Sequence, residues 1–255
     1  EGGRAIGQVA SLSNEELEEL DRRASSLQRK PDKGAAMEAG PALLQPLLDA
    51  IAAYDYAATN EELGRLAVLL RPGELVHRVV LPLMRIAGDS WATGTLRIAQ
   101  EHMLSACVRN LLGGLVRIPK NGKGSGRMLF TTPPGELHEF GILTAAMLAV
   151  AEDFQVAYLG PNLPAREVLM AVEKSVPHAI VLGIMKTNAT PAVRDEVHRL
   201  AAELPPTTEV WLGGSGAEAM LSGAAGSRLV VLEDLIHFEQ HLSRLKAVPR
   251  RESAP

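Results

Sequence analysis

Apolar residues along this chain follow two periods, and the change between them divides it. From Pro41 to about Val116 they recur at three-to-four spacing: Leu43, Leu44, Leu47, Leu48 and Ile51, then Leu63, Leu66, Leu69 and Leu70, then Leu75, Val79, Leu83, Ile86 and Ala87. That is the period of helices with one buried face. Breaks near Thr59-Asn60, at Arg71-Pro72-Gly73 and from Trp91 to Thr95 cut the segment into four helices. Short connections between four helices predict an antiparallel four-helix bundle over 41–118. Pro82 falls inside the third helix and is expected to kink it. The fourth, from about Leu96, is expected to turn Ile98, His102, Cys107, Leu111 and Leu112 inward.

Between Ile118 and Arg127 the composition shifts to Pro, Asn, Gly and Ser, which marks a boundary between domains. Beyond it, over 126–247, short Val/Ile/Leu runs alternate with helical segments. Strands are predicted at Arg127–Thr132, Gln155–Gly160, Ala179–Ile184, Glu209–Gly214 and Leu229–Leu232, and helices near Glu139–Ala151, Ala165–Ser175, Ala192–Glu203, Gly216–Ala224 and Glu233–Leu245. Five such β-α units imply a parallel sheet covered on both faces, a Rossmann-type α/β domain. The flavodoxin-like strand order 2-1-3-4-5 places its switch point beside the first strand. Ahead of both segments, Ser13-Asn14-Glu15-Glu16 reads as a capping box opening a short helix within 1–30, 29–40 as a linker, and 248–255 as a frayed tail.

Composition narrows the chemistry. Of 255 residues, 46% are hydrophobic but only 4% aromatic, so the core must be aliphatic. A net charge of −4 argues against a nucleic-acid surface among these residues. The single cysteine, Cys107, excludes an internal disulfide framework and points to a reducing, cytoplasmic setting. No apolar run reaches the length of a membrane span. Neither a Ser-His-Asp order, an HExxH motif nor a cysteine metal cluster is present, so no catalytic residue is assigned.

The segment Thr131-Thr132-Pro133-Pro134-Gly135-Glu136-Leu137-His138-Glu139-Phe140-Gly141 can continue neither the strand before it nor the helix after it. It therefore displays His138 on a loop at the carboxyl end of a strand, where open α/β sheets bind ligands. Three further loops reach the same rim: Leu159–Asn162, Gly183–Asn188 and Leu212–Gly216. His178, His198 and His237 lack matched partners in the pattern and read as structural or solvated, and Asp89 and Asp234 as helix caps.

Glu136-Leu137-His138-Glu139-Phe140-Gly141 is similar to the Asp-x-His-x-x-Gly signature of cobalamin-binding domains, and Gly213-Gly214 falls where that family has paired glycines. Trp91 followed by Glu101-His102 resembles the Trp-x9-Glu-His pattern of light-sensing B12 transcription regulators of the CarH and LitR type. Residues Gly3 to Ser13 resemble the segment that closes the winged helix of MerR-type regulators.

The resemblance implies that His138 binds cobalt as the lower ligand of a base-off corrinoid, with Glu136 on its other ring nitrogen. It implies that Gly141 belongs to the cofactor site, that the nucleotide tail passes Gly183, Thr187, Gly213 and Gly214, and that Trp91, Glu101 and His102 roof the upper face. The cofactor implied is adenosylcobalamin, with methylcobalamin as the alternative. The partners implied are DNA, through a domain outside this chain, and further copies of the chain in a dimer or tetramer. Two residues depart from the family. Gly183 stands where most members have Ser, and Ala92 stands where the light sensors have a cobalt-capturing His. The other readings open at this point are a corrinoid carrier subunit of a methyltransferase system and a binder of haem or a bilin.

Overall fold

The computed structural model describes residues 41–117, 126–223 and 228–247, apart from the side chains of Pro41, Trp91 and Ala92. The proposed N-terminal capping box, the winged-helix remnant, the linkers and the C-terminal tail lie outside these residues. Helix α1 spans Pro41–Ala52 and α2 spans Tyr56–Leu69. The chain breaks between them at Tyr54 and Asp55, earlier than the expected Thr59-Asn60. Asp55 accepts the Ala58 amide as an N-cap, and Thr59, fully buried, returns its hydroxyl to the Asp55 carbonyl within the helix.

The next helical run begins with α3 (Pro72–Leu75), passes through a π-helical turn over Val76–Val80, and continues as α4 (Leu81–Ala92). Pro82 has no amide, and its ring crowds the preceding turn. The wide turn just before it, in which the Leu81 amide reaches the Val76 carbonyl, absorbs the misfit expected as a kink. Helix α5 (Ile98–Val116) buries Gln100, Leu104, Ser105, Cys107, Val108 and Leu112. Ile98 and His102 do not turn inward as expected: Ile98 is 62% exposed and the His102 side chain 75%. The inward face is fixed instead by Gln100, whose amide donates to the Ile51 and Ala52 carbonyls at the end of α1.

The α/β part runs β1 (Arg127–Thr131), α6 (Phe140–Ala151), β2 (Gln155–Gly160), α7 (Ala165–Ser175), β3 (Ala179–Gly183), α8 (Pro191–Glu203), β4 (Glu209–Gly213), β5 (Leu229–Leu232) and α9 (Leu235–Ala247). All four pairings are parallel and the order is β2-β1-β3-β4-β5, as the sequence predicts. One crossover differs. Where a helix was expected at Gly216–Ala224, the described residues hold only a 3₁₀ turn at Glu218–Leu221. Gly214 has φ +95°, and a Cβ on Gly216 would lie 2.7 Å from the Met185 carbonyl oxygen, so this stretch is pressed against the loop after β3.

Alternation along the strands sorts the core into two faces. Leu129, Ile180, Leu182, Val210 and Leu212 pack against α7 and α8. Met128, Phe130, Ala179, Val181 and Trp211 face the other way, toward α6 and α9, and the same core continues into Leu104, Val108 and Leu112 of α5. Helix α6 is consequently buried at every position from Ile142 to Ala149, with the sheet on one side and α5 on the other. Its N-terminus opens beside the His138 loop.

A polar contact reinforces this packing at the far side. His77, in the π-helical turn, pairs with Glu239 of α9 at 3.0 Å. The hydrogen bond to Glu239 raises the His77 pKa; burial opposes this, and the charges of Glu239 and Asp234 add to the rise. A raised folded pKa contributes stability that is complete below the ordinary histidine value of 6.5 and is lost as pH rises through the folded value. In urea titrations the midpoint gap between wild type and His77→Gln should be widest below pH 6.5 and close with increasing pH. A gap independent of pH contradicts this contact.

Candidate functional site

The loop between β1 and α6 is held by its own sequence and by both neighbouring loops. Pro133-Pro134-Gly135-Glu136 forms a turn closed by the Glu136 amide on the Pro133 carbonyl at 3.1 Å, with Gly135 at φ +79°. Proline second and a positive-φ glycine third is the type II arrangement. The buried Thr132 hydroxyl donates to the Glu136 carbonyl at 2.5 Å and accepts the Asn162 amide at 2.8 Å. Asn162, after β2, accepts the Gly135 amide through Oδ1, while Asn188, after β3, donates to the Pro134 carbonyl.

Glu136 is the centre of the site. Only 1% exposed, its carboxylate accepts three N–H groups. Oε1 takes the His138 amide at 2.9 Å and His138 Nδ1 at 2.6 Å, and Oε2 takes the Met185 amide at 2.8 Å. Burial pushes its pKa up, but the two backbone donors and the imidazole outweigh that and hold it below the usual carboxylate range. An ionised carboxylate can only accept, so Nδ1 of His138 carries a proton, and in the neutral ring it is Nε2 that presents a lone pair. The His138 side chain is 70% exposed, and no hydrogen bond or ion pair to Nε2 occurs among the described residues.

Around His138 the rim is apolar and open. Leu137 is 67% exposed, and Leu159 and Met185 are each 37% exposed, at the carboxyl ends of neighbouring strands. Gly141 and Gly213 have nothing within 4 Å of where a Cβ would project. At Gly214, by contrast, a Cβ would meet the Ile184 carbonyl oxygen at 2.4 Å. A Cβ on Gly183 would lie 2.8 Å from Ile142 Cγ2, so Ile142 already fills the space a serine would need there. Thr187 sits exposed in a 3₁₀ turn at Lys186–Asn188, beside the Ser215 hydroxyl that accepts the Lys186 amide.

Glu136, His138, Gly141, Gly183, Thr187, Gly213 and Gly214 thus gather at one edge of the sheet. The helical candidates stand apart from them in hydrogen bonding. Trp91 lies in the last turn of α4. Glu101, in the first turns of α5, accepts the Ser105 hydroxyl at 2.6 Å and lies 3.6 Å from His102 Nε2. What joins α5 to the loop is a pair absent from the sequence reading: Arg109 Nε donates to Glu139 Oε1 at 2.6 Å, and Tyr158 donates its hydroxyl to Glu139 Oε2 at 2.6 Å. The one hint in the sequence is that Arg109 falls two turns after His102 as the lone charge in the apolar second half of α5. His178 and His198 are structural as expected, bonded to the Arg127 amide and the Met220 carbonyl, and Asp234 caps α9 by accepting the His237 amide. Among the described residues no group of three His, Cys, Asp or Glu side chains is placed to hold a metal by itself, and no helix is long and apolar enough to cross a membrane.

Comparison with known proteins places these features. A B12 binding domain model matches residues 43–115, the helical segment. The HTH-type transcriptional repressor CarH of Myxococcus xanthus is 30% identical over 220 residues, covering 85% of this chain and 71% of that protein. The repressor CarA of the same organism is 28% identical over 145 residues, covering 56% of this chain and 47% of its own length. Among solved structures, the monomethylamine corrinoid protein of Methanosarcina barkeri shares the fold, with a TM-score of 0.58 at 17% identity, over 81% of this chain and 99% of its own.

The geometry around Glu136 makes a prediction of its own. Glu136→Gln preserves shape but turns an amide donor toward an N–H that the carboxylate now accepts. The loss should be about 2 kcal/mol of unfolding free energy by urea titration. A change below about 0.5 kcal/mol would show that the carboxylate is not satisfied in this way.

Proposed function

Because the chain belongs to the CarH-type family of HTH-type transcriptional repressors, we propose that it is the cobalamin-binding sensory module of a transcriptional regulator. The observation that carries this reading is the Nδ1 contact of His138 to Glu136, which leaves Nε2 exposed on an apolar rim. A lone imidazole suffices for a metal that arrives with its equatorial positions filled by a macrocycle, and imidazole suits a first-row transition metal. The exposed Leu137, Leu159 and Met185 offer apolar support to a broad flat ligand. A bound corrinoid would supply a cobalt that the His138 imidazole would hold.

In this reading His138 is the lower ligand. Glu136 fixes its tautomer and orients the ring, as carboxylate partners do for metal-bound histidines. The open positions at Gly141 and Gly213, together with Thr187, Gly183 and Gly214, would receive the nucleotide tail. The helical segments would then act as a four-helix bundle domain that caps the α/β domain. From it Trp91, Glu101 and His102 would cover the upper group, adenosyl in the first instance and methyl in the second. The Ala92 side chain has no donor atom, so that position could not hold cobalt. Cap and corrinoid domain would then act on a dimer or tetramer that presents DNA-reading domains lying outside this chain.

Two measurements test the proposal. Wild type mixed with adenosylcobalamin in the dark should show an absorption spectrum in which the corrinoid's own base is displaced, and folded His138→Ala should lose it. Retention of that spectrum in the variant removes His138 as lower ligand, and absence of corrinoid uptake by wild type removes the function. Size-exclusion chromatography of the loaded protein before and after illumination should show a change of oligomer. An unchanged profile excludes the light switch.

A further inference from the structure

His138 is flanked by two carboxylates that are held from different directions. Glu136 is satisfied inside the α/β part, by Met185 and by the loop itself. Glu139, the residue directly after the histidine, also caps α6: its carbonyl accepts the Leu143 amide at 2.9 Å. Its carboxylate, 14% exposed, reaches both neighbouring elements, taking Arg109 of α5 on Oε1 and Tyr158 of β2 on Oε2, each at 2.6 Å. The guanidinium stands 5.4 Å from the centroid of the Phe140 ring, so it caps the first residue of α6 as well. Leu137 and His138 are left as the exposed side chains of a loop pinned on either side of them.

We infer that Arg109 is a positioning residue for His138, tying helix α5 to the residue next to the imidazole so that the helical cap and the ligand loop move as one unit. The inference rests on the reading of His138 as the cobalt ligand for its functional meaning. Its structural content stands on the Arg109–Glu139–Tyr158 contacts alone. The coupling is directional. Tyr158 anchors Glu139 to the sheet whatever the cap does, whereas Arg109 makes the loop's order depend on where α5 sits. Arg109 is half exposed, so the link is open to salt and can be broken without unfolding the core beneath it.

Hydrogen exchange of the unliganded chain tests this directly, with wild type, Arg109→Gln and Arg109→Lys compared on the peptide covering 133–143. Removal of a charge-assisted hydrogen bond should raise exchange there about tenfold in Arg109→Gln, with partial recovery in Arg109→Lys. Arg65→Gln, which breaks an exposed pair with Glu62 inside α2, should leave the peptide unchanged. Hydroxocobalamin titrations should in parallel give a several-fold weaker dissociation constant for Arg109→Gln and a value nearer wild type for Arg109→Lys. Equal exchange in wild type and Arg109→Gln overturns the inference. If the exchange difference appears but wild type takes up no hydroxocobalamin, the corrinoid reading fails and the coupling between cap and loop remains.

Discussion

A carboxylate with 1% of its surface exposed must be matched group by group, and Glu136 is matched by two backbone amides and one imidazole. Each partner comes from a feature that something else in the fold fixes. The His138 amide is where it is because the Pro133–Glu136 turn reverses the chain, and that turn needs a proline and a positive-φ glycine. The Met185 amide is where it is because Gly214 and Gly216 let the loop after β4 press on the backbone after β3. An unmatched buried carboxylate costs several kcal/mol, so these loops cannot relax independently. The result is an imidazole whose proton and orientation are both set while its second nitrogen stays exposed.

The same region is where the two halves of the chain meet. Helix α6 starts two residues after His138 and is apolar all round, because the sheet lies on one side and α5 on the other. A helix buried on both sides transmits displacement rather than absorbing it, since close-packed interiors shift between discrete arrangements. Arg109 on Glu139 and His77 on Glu239 are two polar contacts, among the described residues, that register the helical layer on the α/β part, one beside the site and one remote from it. The remote one includes a titrating histidine and the near one does not, so pH separates the two attachments in experiment.

Much of this was legible in the sequence where a single physical rule governs. Short apolar runs marked all five strands, and the βα alternation pointed to their order. The Pro-Pro-Gly turn announced a displayed histidine, and the resemblance to cobalamin-binding domains pointed to Glu136 as its partner. The failures come where tertiary contacts decide. Gly216–Ala224 has helical composition, yet close approach to Met185 leaves only a 3₁₀ turn among the described residues. The break after α1 falls at Tyr54-Asp55 because a cap and a buried threonine choose it. Ile98 and His102 face outward because Gln100 takes the buried position. Arg109 and Glu139 are 30 residues apart, and no local pattern joins them.

The central claim is that Nε2 of His138, oriented by Glu136, is the atom that meets cobalt. Electron paramagnetic resonance of the one-electron-reduced cobalamin complex reports the axial nitrogen directly. Protein labelled with 15N-histidine and loaded with unlabelled cobalamin should convert the nitrogen splitting from triplets to doublets, and His138→Ala should abolish that doublet. Triplets that persist in the labelled protein would mean that the corrinoid's own base still holds the metal, and the assignment of His138 would be wrong.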